Sequence, residues 1–194
     1  DTWNAIQRVA IDHCESYRRI ALLDAPPGMG PLEVREWLED EARYDSHSAC
    51  MHYPWALAWD PTSESSQPSP IPPSGHIAGA WARSDRERGV WRSPANQVVA
   101  GVLDAEVRLT ANERFAVAAT GINPIRVFLD SDEGIRVWGS RTLSSKPWYT
   151  VEVARSVAAI QRACARGLRW AAFEPDREAT RSTVKRQLDE FLTG

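Results

Sequence analysis

His47, Cys50 and His52 stand close together, and neutral imidazoles with a thiolate are zinc ligands. Ala49, Met51, Tyr53, Trp55, Leu57 and Trp59 alternate with smaller or polar residues, so this segment reads as a period-2 strand interrupted by Pro54. On such a strand Cys50 and His52 point one way and His47 the other. No fourth ligand is spaced nearby, and the cluster reads as a plain strand entry. Cys50 with a histidine would also make a thiol nucleophile and its base. The glycine-rich or helix-start context such a thiol needs is missing. Gly28-Met29-Gly30 follows a strand, but it lacks the further glycine of the dinucleotide fingerprint and the Gly-Lys-Ser/Thr of a P-loop, and reads as a turn. Asp24, at a strand end, is of a type that holds magnesium, but a lone aspartate there reads as a loop cap. Ser74-Gly75-His76 has no serine-hydrolase elbow, and Ser74 reads as a helix cap. No convergent polar site emerges, so no catalytic residue, metal or cofactor is expected.

The elements around these residues suit one domain. The chain has 194 residues, 43% hydrophobic and 25% charged, enough to bury a real core. A net charge of −3 gives no basic field for nucleic acid. No run of 18 or more apolar residues offers a membrane span. Cys14, Cys50 and Cys164 are odd in number and far apart, as buried free thiols of a reducing compartment are.

Residues 3–17 carry Ile6, Val9, Ala10, His13 and Tyr17 on one helical face. Residues 19–24 form a strand, and Pro31 opens a helix through Val34, Trp37 and Leu38 to about Arg43. The Ser/Pro-rich stretch 60–73 reads as an exposed inserted loop. A strand is expected at Glu106–Leu109. Thr110 and Glu113 then form a capping box for a helix stopped by Gly121. Ile125–Leu129 and Ile135–Trp138 flank a hairpin turn. Val153, Val157, Ile160 and Cys164 mark a helix ended by Gly167. Leu168–Phe173 is expected as a strand, and Pro175 opens a last helix with Val184, Leu188, Phe191 and Leu192 on its apolar side. Strands alternate with helices in the first half and a hairpin enters later. The expected fold is therefore α/β, a single domain with one mixed sheet flanked by helices.

The stretch Pro72 to Asn96 stands apart. Ile77, Ala80, Trp81 and Ser84 share one helical face. Asp85-Arg86-Glu87-Arg88 then reads as a charged, tightly folded loop, with Gly89 at a positive φ. Pro73-Ser74-Gly75-His76-Ile77-Ala78-Gly79, Ala82-Arg83-Ser84-Asp85, Arg88-Gly89-Val90-Trp91 and Pro94-Ala95-Asn96 together resemble the signature of contractile tail sheath proteins. Members of that family build the sheaths of contractile phage tails, R-type pyocins and extracellular contractile injection systems. A second block, Gly121-Ile122-Asn123 with Gly134 to Ser144, and a third, Trp170 to Pro175, follow in the family's order.

The resemblance implies a tail-sheath core-like fold and a structural role without enzymatic activity. It implies assembly as stacked hexameric rings around an inner tube, and contraction that drives the tube through a target envelope. The implied partners are other copies of the subunit, the inner tube protein, and baseplate and cap proteins, with no nucleic acid and no direct membrane insertion. Assembly is expected in the cytoplasm of the producing bacterium, as a component of a phage tail or phage tail-like particle. The family's extended terminal arms, which add strands to neighbouring sheets, are expected to be absent from residues 1–194, making the chain a fragment around the core domain. A non-contractile tail or baseplate module of the same fold is the alternative, and a small α/β hydrolase a weaker one. Arg177, Arg181 and Lys185 recur every four residues as a stripe on the last helix, beside Val184, Leu188 and Leu192 facing the core. By resemblance this stripe is the expected inner-tube contact, and Asp85, Arg86, Glu87 and Arg88 form an ion-pair loop near a subunit contact.

Overall fold

The computed structural model describes residues 2–59, 67–128, 133–146 and 150–193, and divides into a first unit, 1–156, and a second, 157–194. In the first unit the elements are α1 (Thr2–Ser16), β1 (Ala21–Asp24), α2 (Pro31–Glu36), β2 (Ala49–Tyr53), β3 (Ala56–Ala58), β4 (Ser69–Ile71), α3 (Ser74–Arg88), β5 (Asp104–Ala105), α4 (Ala111–Ala119), β6 (Asn123–Val127) and β7 (Ile135–Val137).

A four-stranded mixed sheet, ordered β1-β2-β6-β7, carries the fold. β1 and β2 pair in parallel from Ala21↔Ala49 to Asp24↔His52, β2 pairs in parallel with β6, and β6 turns back antiparallel onto β7. Every residue of β2 is buried. A parallel strand covered on both faces buries both its side-chain sets, so the alternation at 49–59 is not a polar and an apolar face. Met51 and Tyr53 enter one cluster with Ile11, Val34, Trp37 and Val117, while Cys50 enters the opposite one with Ile77, Trp81, Val99 and Val151. Each fully buried large side chain contributes about 1.5–3 kcal/mol.

The expected single strand 49–59 is two strands. Pro54 lacks the ladder donor, pairing breaks there, and β3 joins a separate three-stranded antiparallel sheet, β4-β3-β5. One sheet was expected and two are present. Ser69–Ile71, expected within an exposed loop, is the edge strand of this sheet, with Ala58↔Ser69 and Ala56↔Ile71 in register. Pro70 is tolerated because β4 is an edge. Residues 60–66 of that loop and 129–132 of the expected hairpin turn lie outside the described residues. The strand expected at Glu106–Leu109 falls earlier, at β5.

Pro31 starts α2, which continues as a π-helical turn over Trp37–Ala42. At α4 the capping box forms in full: the Glu113 N–H donates to Thr110 Oγ1 at 3.3 Å and the Thr110 N–H to Glu113 Oε2 at 2.8 Å.

α5 (Val151–Gly167) runs through the division between units. Its buried positions are Val151, Ala154 and Ala158, while Val153 and Ile160, expected on its apolar face, are exposed. The second unit continues with a 3-10 segment, Arg169–Phe173, where a strand was expected, and with α6 (Glu178–Thr193). Strand pairing needs a neighbour, and among the described residues no strand pairs with 168–173. Cys164 and Leu168 share a cleft with Leu188 and Phe191, and Trp170 Nε1 donates to Gln187 Oε1 at 2.8 Å. No residue of α6 is buried. Val184, Leu188 and Leu192 therefore do not face a core.

Candidate functional site

α3 is positioned from a distance. Ser74 is its first residue and supplies no side-chain cap; its N–H donates to Asp24 Oδ1 at 2.9 Å. The carboxylate at the end of β1 thus caps α3, where it meets the positive end of the helix dipole. Burial raises the Asp24 pKa, opposed by hydrogen bonds with Ser74. The face Ile77, Ala80, Trp81 and Ser84 is buried as its spacing requires.

Asp85, Arg86, Glu87 and Arg88 do not form a loop. α3 runs through them to Gly89, whose φ of +91° ends it. A Cβ on Gly89 would stand 2.4 Å from the Trp91 ring, so the glycine permits both the turn and the tryptophan's approach. Asp85 accepts a hydrogen bond and ion pair from Arg155 of α5, whose guanidinium lies 4.8 Å over the Trp81 ring. The aspartate ties α3 to the first-unit end of α5. Arg86, Glu87 and Arg88 are exposed.

The first two signature blocks interlock. Residues 96–99 run beside β7: Asn96 N donates to Val137 O at 2.7 Å, Val137 N to Gln97 O at 2.9 Å and Val99 N to Ile135 O at 2.8 Å. Arg83 of α3 donates to Val98 O at 2.5 Å. Asn123, buried in β6, is the second junction. Its Nδ2 donates to Met51 O at 3.1 Å and Arg141 O at 2.8 Å, and its Oδ1 accepts from Arg141 N at 2.6 Å. A Cβ on Gly139 would come within 2.6 Å of Asn123 Oδ1, so that contact requires glycine. Buried amides satisfied in this way fix a unique arrangement. These motif residues build a scaffold.

The residues with chemical potential remain apart. His47 is exposed ahead of β2. His52 is buried edge-on to Trp81, ring centroids 6.0 Å apart, and desolvation lowers its pKa to about 3. Burial pushes the Cys50 thiol pKa up, away from nucleophilic use. Gly28 lies in a turn at φ +74°. Among the described residues, no three of His, Cys, Asp or Glu are grouped to hold a metal ion, and no helix is long and apolar enough to cross a membrane.

The basic stripe falls in the second unit. Arg177 precedes α6; Arg181 and Lys185 lie on it. Arg181 pairs in bidentate fashion with Asp176, Nε to Oδ1 at 2.6 Å and Nη2 to Oδ2 at 2.7 Å, which holds the aspartate pKa down. Both partners are largely exposed. Arg181 and Lys185 border an open groove floored by Ala171, Val184, Leu188 and Leu192. Phe173, of the third signature block, is 98% exposed. Sequence reasoning missed Asp24 as the cap of α3, Arg155 and the Asn123 junction, since each acts across a long sequence separation that local spacing does not encode.

The first unit is a mixed α/β scaffold, and its motif residues Arg83, Asp85, Asn123 and Gly139 make internal joints. The family model described as the phage tail sheath protein central domain matches residues 2–143. The chain belongs to the phage tail sheath protein family. It is 29% identical over 174 residues to a putative prophage major tail sheath protein of Pseudomonas aeruginosa (strain UCBPP-PA14), a match covering 88% of this chain and 43% of that one. The helical sheath of the anti-feeding prophage in its contracted state aligns with TM-score 0.73 and 34% identity, over 89% of this chain and 44% of that one. The contracted sheath complex of the PVC extracellular contractile injection system aligns with TM-score 0.72 and 31% identity, over 89% and 47%. The chain spans less than half the length of these relatives.

Proposed function

We propose that the protein is a structural, non-enzymatic subunit of a contractile sheath, assembled from copies of itself around an inner tube in a phage tail or phage tail-like particle. The observation that carries this reading is the 34% identity to a contracted helical sheath over nine-tenths of the chain. The scaffolding role of the signature residues supports it. Baseplate and cap proteins complete the set of partners, and assembly takes place in the producing cell's cytoplasm.

In this reading the second unit meets the inner tube through Arg177, Arg181 and Lys185. Lys185, and Arg181 shared with Asp176, stand at the rim of an uncovered apolar groove and suit an acidic partner surface. Exposed ion pairs are worth about 0–1 kcal/mol each and weaken with salt, so a tube is held in register and released on contraction. Negative-stain imaging of the full-length protein tests the assembly: it forms tubes of stacked rings, and globular monomers at all concentrations would refute it. Arg181→Glu with Lys185→Glu tests the contact. Folding and empty contracted sheaths persist while extended sheath on tubes is lost; wild-type yields of extended particles would remove the stripe from the account.

A further inference from the structure

A cavity of about 190 Å³ in the first unit lies between the residues leading into α4, α4 itself and β6. Its walls are apolar at Leu109, Ile125 and Val127, and its charged lining among the described residues is Arg108, Arg114 and Arg126, with no acidic residue among them. The three guanidinium groups are engaged unequally. Arg108 is neutralised by Asp104 in a bidentate pair. Arg114 spends one donor, Nη1, on Leu109 O at 2.5 Å. Arg126 sits against two aromatic rings, its Cζ 4.1 Å from the Phe128 ring centroid and 4.7 Å from that of Trp138. Such cation–π contacts consume no N–H donor of the guanidinium. Among the described residues Arg126 has no salt-bridge partner. Two positive charges, on Arg114 and Arg126, are thus left beside apolar walls, where a charge interaction is stronger than in water.

We infer that this cavity is a binding site for one small oxyanion, a carboxylate or phosphate group seated on the N–H edges of Arg126 and Arg114. The volume is that of about six waters. It holds one such group and excludes a nucleotide. Guanidinium forks match carboxylate and phosphate oxygens in bidentate geometry. The group comes from one of two sources, an acidic side chain of a second copy of this chain or a free anion in solution. The inference does not depend on the sheath reading, because every residue it uses lies in one unit of one chain.

The test titrates inorganic phosphate into the full-length protein at constant ionic strength, with chloride as the balancing ion, by calorimetry and thermal unfolding. Wild type binds phosphate saturably and its Tm rises. Arg126→Gln weakens binding by about tenfold or more at unchanged circular dichroism. Should Arg126→Gln fail to fold, Arg126→Lys keeps the charge, loses the fork, and still binds more weakly than wild type. Sedimentation velocity in the same buffers separates the sources. Phosphate that dissociates wild-type oligomers marks an acidic side chain of a second copy; unchanged oligomers mark a free anion. Phosphate heats and Tm shifts indistinguishable from chloride, or identical in wild type and variant, would overturn the site.

Discussion

The two units use apolar residues in opposite ways. In the first, Met51, Tyr53, Ile77, Ile122 and Val137 are almost wholly buried around a mixed sheet. In the second, Ala158 is the one described residue classed as buried, while Trp170, Phe173, Phe191 and Leu192 stand open to solvent. Composition does not separate them, since both are rich in large hydrophobics. The difference lies in layering. A sheet offers each helix a partner surface, whereas a helical hairpin of this length covers one stripe and leaves the rest free. Open apolar surface of this kind suits an interaction site, and the proposed tube contact lies in the second unit, while the large buried side chains lie in the first.

Substitutions sharpen that contrast. Ile77→Ala, in the first unit, costs about 2–5 kcal/mol of folding stability in urea titration. A loss below about 1 kcal/mol would deny that α3 packs as described. The next effect is pH-dependent. His52 titrates near 6.5 in the unfolded chain and at about 3 when folded. Protons therefore bind the unfolded state first, so the His52 contribution is complete above pH 6.5 and is lost as pH falls toward 3, by at most about 1.4 kcal/mol per pH unit. His52→Met flattens the stability profile between pH 6.5 and about 5; a slope equal to wild type would place the proton uptake elsewhere. Arg155→Met leaves Asp85 without its cation and costs about 1–3 kcal/mol, less than a fully buried pair because Asp85 is one-third exposed. The double variant with Asp85→Asn recovers part of that loss in a double-mutant cycle. Thr110→Ala removes a cap worth about 1 kcal/mol. The smallest effect belongs to the second unit: Phe191→Ser changes folding stability by less than about 0.5 kcal/mol, and a loss as large as that of Ile77→Ala would collapse the comparison.

Local order was legible wherever neighbours in sequence decide it. The buried face of α3, the Thr110–Glu113 box, the stop at Gly121 and the β6-β7 hairpin follow from spacing and turn chemistry. The family was legible in blocks whose residues make joints, as Asn123 and Gly139 do. What failed was decided by distant partners. The 49–59 alternation concealed a strand buried on both faces and broken at Pro54. Asp85–Arg88 looked like a loop because their charges break the apolar pattern, yet charge at the end of a helix is no obstacle to helix. Leu168–Phe173 has strand composition but pairs with no strand among the described residues. The α6 apolar stripe has the period of a buried face, and period alone does not say whether the covering surface is this chain or another.

Hydrogen exchange on the full-length protein, free and assembled on its inner tube, tests this division most directly. Assembly slows exchange at residues 169–192 strongly, while 49–53, already protected by the core, changes little. Exchange at 169–192 as fast in the assembled sheath as in the free subunit would contradict the claim that the second unit is the contact surface.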